Sequence, residues 1–279
     1  ISKNKKLVFL KRIVFLISIF FLAVDVFSQI NSENSNIIPG SNLNSFKSGE
    51  WFEYRIHYGL FNAGRVTISL ETKTFNEKEV FHSKSYGRTI GLARFFFKVE
   101  DFYESYFDKN YVKPYKFIRD IYEGGYTKDT EILFNHSNGI AYVNDKKNKK
   151  KYEIPFNDGA QDLISASYYL RNFYDHSKIS INESIDINMF FDNENYLFKL
   201  KFLGEEILNT KFGKISSLKF RPYVQSGRVF REQESVTMWV SNDKNKVPLK
   251  IQANLAVGSI ECDLENFRNL KYPFLINIE

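Results

Sequence analysis

A mainly β fold is predicted for this chain of 279 residues. The expected form is a curved antiparallel sheet making an open barrel or sandwich, with one helix packed on it near 158–172. Three observations predict it. Aromatic residues make up 17% of the chain, with 28 Phe and 17 Tyr against two Met, and large flat side chains suit a pleated, half-buried surface. Apolar and polar residues alternate with period two in many segments, as in strands with one face in the core and one in water. Turn-forming clusters separate those segments at short intervals, as in sandwiches and barrels. No fixed-period repeat is visible, which argues against a propeller or solenoid.

The first element is not part of the fold. Residues 1–28 read as a secretory signal peptide. Lys3, Lys5, Lys6, Lys11 and Arg12 form its basic region, and Ile13 to Val24 its apolar one. Val26 and Ser28 stand at −3 and −1 of a cleavage site before Gln29. The apolar run is shorter than the roughly 20 residues of a spanning helix. No Cys stands at the cleavage site, which argues against a lipid-anchored form. Taking five basic residues and one acidic residue from 39 and 33 leaves 34 and 32, a net charge of +2. The basic balance is therefore mostly an export signal, and nucleic-acid binding loses its support. The expected compartment is the periplasm or the exterior.

Residues 29–46 are rich in Asn and Ser and read as a flexible leader. A single β-rich domain is expected over 47–279. Phe52, Tyr54, Ile56 and Tyr58 alternate with Glu53, Arg55 and His57. A turn over Gly59–Gly64 leads to Val66, Ile68 and Leu70, making the clearest hairpin. Further strands are read at Glu79–Thr89, Tyr103–Phe107, Tyr115–Tyr122, Thr130–Phe134 and Ile140–Val143. Later ones are Ile185–Phe191, Leu197–Leu203, Ile215–Arg221, Val229–Val240 and Leu249–Val257. The helix over 158–172 has Asp158 as N-cap and Gln161 completing a capping box. Its apolar stripe, Leu163, Ala166, Ser167, Leu170 and Phe173–Tyr174, should lie on the sheet. A second short helix is read at Gly91–Val99.

Catalytic signatures are scarce. The four His residues show no metal-ligand spacing, and the sequence implies no cofactor. Ser216 and Lys219 match an S-x-x-K pattern, but in a strand residues i and i+3 face opposite ways. The lone Cys262 forms no intramolecular disulfide and reads as a small buried apolar residue. Lys146, Lys147, Lys149, Lys150 and Lys151 read either as a solvated hairpin tip or as a contact for anionic lipid or polysaccharide. A Phe- and Tyr-lined sheet partly covered by a helix is either a filled core or the holder of an apolar ligand. The candidate ligand or partner contacts are Tyr168 and Arg171 on the helix and Trp239 on a late strand. Arg171 suits either an anionic ligand head or the helix C-terminus.

Three stretches carry a family resemblance: Tyr54–Gly64 (YRIHYGLFNAG), Asp162–Arg171 (DLISASYYLR), and Met238–Ile251 followed by Gly258. With Asp101, Ser105 and Pro114 between them, they resemble the DUF3108 family of exported bacterial proteins, over roughly residues 47–265. The resemblance implies a periplasmic, curved antiparallel sheet with one packed helix. It implies no catalytic residues.

Three functions stay open. The leading one is a non-enzymatic binding or carrier-type module of the cell envelope, for a lipid or other apolar ligand. The others are a hydrolase acting on envelope glycans or lipids, and a scaffold binding another envelope protein. No transmembrane span is expected in the mature chain.

Overall fold

The computed structural model describes residues 44–224, 236–255 and 257–276. The predicted signal peptide and residues 29–43 of the predicted leader lie outside the described residues. Among the described residues, fourteen strands form one antiparallel sheet that does not close. The first meander is Trp51–Tyr58 (β1), Phe61–Phe75 (β2), Lys78–Thr89 (β3), Val99–Asp108 (β4), Pro114–Glu123 (β5), Tyr126–Asn135 (β6), Ile140–Asp145 (β7) and Lys150–Pro155 (β8). The second is Ser184–Phe191 (β9), Glu194–Thr210 (β10), Gly213–Val224 (β11), Val236–Ser241 (β12), Pro248–Asn254 (β13) and Ser259–Arg268 (β14). They join where β1 pairs with β14, so β8 and β9 are left as the two edges.

The sheet curls until those edges approach each other. The Gln161 amide donates to the Asn188 carbonyl at 2.8 Å, and the Phe190 amide donates to the Gln161 carbonyl at 2.9 Å. Asn195 donates through Nδ2 to the Pro155 carbonyl at 2.8 Å. Rings cross the same seam, Phe190 standing 5.7 Å from Phe134 and 6.4 Å from Phe156. The edge strand β8 carries three exposed charged residues, Lys150, Lys151 and Glu153, which protects an edge from pairing with other chains.

The pleat places Phe52, Tyr54 and Ile56 of β1, Val66 and Leu70 of β2, and Tyr103 and Phe107 of β4 in the core. Helix Gly91–Phe96 (α1) joins β3 to β4. Helix Leu163–Phe173 (α2) packs on the concave side of the sheet.

Several sequence expectations change. The helix starts at 163 with Asp162, not Asp158, as N-cap, and Ser165, not Gln161, completes the capping box. The reason is that Gln161 is engaged as extended backbone at the seam. Asp162 Oδ1 accepts from the Ile164 and Ser165 amides at 2.8 and 2.7 Å, and Ser165 Oγ accepts from the Asp162 amide at 2.9 Å. Ser45 and Phe46, expected in the flexible leader, are buried against α2. Ser45 Oγ donates to the Arg171 carbonyl at 2.6 Å, satisfying an acceptor at the helix end. The first hairpin turns at Gly59–Leu60, and β2 already begins at Phe61. Strands β8 and β14 appear where none was expected: lysines obscure the first, whereas the second carries an open alternation of Ile260, Cys262 and Leu264 with Glu261, Asp263 and Glu265. Residues 225–235, the start of the strand expected at Val229–Val240, lie outside the described residues.

Candidate ligand-binding cavity

Helix α2 is amphipathic as its spacing predicts, and its apolar stripe faces the sheet across a cavity. Its polar side holds Ser165, Tyr168, Arg171 and Asn172, all at most 4% exposed. Of the stripe, Leu163, Ala166, Ser167, Leu170 and Tyr174 border the cavity, and Phe173 packs against Tyr169. Within that stripe Ser167 is exposed and Leu170 half-buried.

The buried polar groups on the packed face are all engaged. Arg171 grips Glu50 with two bonds, Nη1 to Oε1 at 2.6 Å and Nη2 to Oε2 at 2.8 Å. It also donates to the Asn245 carbonyl from Nε at 3.1 Å and from Nη2 at 3.0 Å. The rings of Phe46, Phe52 and Tyr168 lie 5.3, 5.5 and 5.5 Å from the guanidinium. Burial disfavours its charge, and the Glu50 carboxylate outweighs burial, holding its pKa above the ordinary value. Tyr168 accepts from Ser83 Oγ at 3.3 Å. Asn172 Oδ1 accepts from the Ser45 amide at 3.0 Å. Ser105 donates to Asp162 Oδ2 at 2.5 Å. Burial pushes the Asp162 carboxyl up to about 6, against the hydrogen bonds that favour its charge.

The cavity encloses about 160 Å³. Its far wall is the concave face of the second meander: Phe198 and Leu200 of β10, Leu218 and Phe220 of β11, Met238 and Val240 of β12, and Ile251 of β13. Ile68, Met238, Val240 and Ile251 point inward yet are only half-buried, so their surfaces are open to a molecule the size of water. Close-packed interiors leave few such spaces. Two charged side chains belong to the wall, Arg171 and Lys246. Arg171 is neutralised by Glu50. Burial lowers the pKa of Lys246, and the carboxylates of Asp243, Asp175 and Glu205 act against burial. Ser85 and Tyr174 also belong to the wall, and their buried hydroxyls have no hydrogen-bond partner among the described residues.

The three sequence candidates fall in different places. Tyr168 and Arg171 are in the wall. The Arg171 guanidinium is committed to Glu50, so the anionic head considered for it is replaced by an internal carboxylate. Trp239 is absent from the wall and lies on the opposite face of β12. There Nε1 donates to Glu206, and the ammonium groups of Lys219 and Lys250 stand 5.4 and 5.9 Å from the ring. Sequence reasoning missed Glu50, Lys246 and the aliphatic wall. Alternation reveals which residues point inward, but not whether the space between them is filled.

Two polar clusters lie outside the cavity. Ligating atoms of His57, Glu261 and Asp263 come within 4.8 Å of one another, a spacing compatible with a metal. Each already has a partner in the protein. His57 places Nδ1 2.7 Å from the Gly59 carbonyl and Nε2 2.7 Å from Asp263. Lys250 holds Glu261 at 2.7 Å, and Arg55 stands 3.6 Å from Asp263. The hydrogen bond to Asp263 raises the His57 pKa despite burial. The geometry is that of an ion-pair lattice between strands. Inside the sheet, Asp101 is fully buried, and neither of its oxygens has a well-formed hydrogen bond. Burial first, then the Glu123 carboxylate, pushes it up to about 8. The S-x-x-K pair lies in β11, where Lys219 binds Glu206 at 3.0 Å. Among the described residues, no helix is long and apolar enough to cross a membrane.

Comparison with known proteins adds the following. Residues 53–265 match the model of a family described as "Protein of unknown function (DUF3108)". No curated protein matches the chain. A β-barrel-like protein of domain of unknown function DUF1849 from Brucella abortus is similar in structure. Its TM-score is 0.49 and its identity 8%, over 79% of this chain and 97% of that one. A provisionally assigned lipoprotein from Parabacteroides distasonis ATCC 8503 has a TM-score of 0.30 and 6% identity, over 82% of this chain and 99% of that one.

Proposed function

The chain belongs to the DUF3108 family, and from that premise we propose that it is a non-enzymatic binding or carrier module of the cell envelope that takes the apolar part of a lipid or similar ligand. The observation that carries this reading is the orientation of α2. The helix buries its polar side in paired contacts and turns Leu163, Ala166, Leu170 and Tyr174 toward a cavity whose opposite wall is also apolar. An apolar ligand would cover both surfaces at once. A cavity of this volume suits an aromatic ring or a short run of acyl carbons, with the rest of a larger molecule left outside. Tyr168 and the apolar stem of Arg171 serve as wall contacts; the guanidinium itself takes no ligand charge. Work outside the cytoplasm is supported by the basic, apolar and small-residue order of residues 1–28.

Native mass spectrometry of the purified mature chain, with extraction and identification of whatever apolar molecule accompanies it, tests the reading. So does titration with the neutral fluorescent probe N-phenyl-1-naphthylamine. Met238→Trp places a ring in the cavity and is expected to weaken probe binding at least about tenfold while the fold is retained. A chain that carries no apolar molecule and gives no probe signal would overturn the proposal, as would a Met238→Trp variant that binds unchanged.

A further inference from the structure

We propose that the end of the sheet around α1 docks onto an anionic lipid surface. This rests on surface residues alone and does not depend on the cavity. Along this end the chain presents side chains that a water-facing surface usually lacks. Leu60, in the β1–β2 turn, is 102% exposed, and Phe95 of α1 is 83% exposed. Phe61, Leu92, Phe96 and Val257 are exposed as well. Scattered singly, such residues mean little; contiguous, they mark an interaction surface.

These residues are contiguous. The Tyr58 hydroxyl donates to the Val257 carbonyl at 3.0 Å, which ties the β13–β14 turn to the β1–β2 turn. The Ile90 amide donates to the Ala63 carbonyl at 3.0 Å, which sets α1 beside the start of β2. Ala93 is the buried residue of α1, so Leu92, Phe95 and Phe96 turn outward. The Phe97 ring then lies over Gly124, where a Cβ would overlap it. That contact draws the β5–β6 turn, with exposed Tyr126, into the same face.

Charge identifies the partner. Beside Tyr126 stands the β7–β8 turn, where Lys146, Lys147 and Lys149 are exposed, followed by exposed Lys150 and Lys151 at the start of β8. The Lys147 ammonium lies 5.6 Å from the Tyr126 ring and donates to the Thr127 carbonyl at 2.6 Å. Lys146 has Glu131 and Asp129 at 3.5 and 3.8 Å. The carboxylate of Asp145 is occupied within its own turn, accepting from the Asn148 amide at 3.0 Å. Exposed Leu and Phe bordered by aromatic rings and lysines have the composition of an interfacial anchor: rings enter the acyl boundary and ammonium groups meet phosphates. The apolar residues are carried by adjoining turns and by α1 at one end of the sheet. A fluid surface meets side chains spread over several such turns more readily than a partner of fixed shape does.

Co-sedimentation of the mature chain with vesicles tests the proposal. One set is phosphatidylcholine alone; in the other about a third of the lipid is phosphatidylglycerol. Binding to the anionic set is expected to be at least about tenfold tighter at roughly 0.1 M salt. Most of that preference should vanish near 1 M, where the screening length falls from ~10 to ~3 Å. Leu60→Ser with Phe95→Ser is expected to lower anionic binding at least about tenfold. Lys147→Glu with Lys149→Glu and Lys150→Glu should abolish the preference for phosphatidylglycerol. All these positions are exposed, so unchanged thermal midpoints confirm that each variant is folded. Any of the following would overturn the proposal: no binding to either set, equal and salt-insensitive binding to both, or binding that both variants leave intact. So would a dimer that Leu60→Ser with Phe95→Ser dissolves while vesicles are ignored, since the face would then belong to a second copy.

Discussion

Helix α2 has two flanks inside one curled sheet, and they differ in what meets them. On the flank toward the first meander, rings interlock: Phe46 and Phe107 stand 4.8 and 5.1 Å from Tyr168, and Tyr103 stands 6.2 Å from Phe117. On the flank toward the second, the helix offers Ala166 and Ser167 beside Leu163 and Leu170, and the wall is largely aliphatic. The pleat and the curvature are shared; what differs is the filling, since Ala166 and Ser167 leave room that larger side chains would close.

The packed flank depends most on the ion pair between Arg171 and Glu50. Glu50→Ala leaves Arg171 buried without its carboxylate and is expected to destabilise the chain by about 3–5 kcal/mol, read from denaturant midpoints. A loss under ~1 kcal/mol would mean that the packed flank is not held by this pair.

Matched truncations come next. Phe117→Ala removes a fully packed ring and is expected to cost about 3–5 kcal/mol. Phe198→Ala removes a ring that already borders the cavity, where fewer neighbours lose contact. Its cost should be smaller by about 1 kcal/mol or more. Equal costs would erase the distinction between the flanks.

The packed side also holds Asp101, whose titration sets a pH dependence. Folded, it keeps its proton to about 8; an unfolded chain releases it near about 3.9. Between those values folding takes up a proton, so this group's contribution to stability falls as pH rises and levels off above about 8. Asp101→Asn should flatten that decline, with its gain largest at alkaline pH. Thermal melts across the range decide, and an unchanged slope would remove Asp101 as the cause.

The smallest expected effect is on the open flank. Ser167→Phe supplies a ring at an exposed position on the cavity side of α2. It should raise stability by about 0.5–2 kcal/mol while excluding the fluorescent probe. A clear destabilisation would show that the space cannot accept a side chain.

Much of this architecture could be read from particular residues. The alternation in β1 and β2 showed which of their residues point inward, and Tyr54, Ile56 and Val66 are buried as that pattern requires. The helix was legible from its 3.6-residue period. Its N-cap was misplaced by four residues because Asp158 and Asp162 are the same residue type, and only the seam contact of Gln161 distinguishes them. The cavity wall was half legible: Tyr168 and Arg171 belong to it, whereas Trp239 lies across β12. Glu50 gave no signal, because it meets Arg171 across 121 positions of sequence.

Most strands, the presence of the helix and the apolar stripe along it follow from the amino-acid order, since each depends on residues within a few positions of one another. The closure of the polar side depends on contacts between distant parts of the chain. Ser45, Glu50 and Asn245 arrive from distant parts of the chain to satisfy the polar side of α2. Once that side can be buried without unpaired charge, the apolar side is left facing the space inside the sheet.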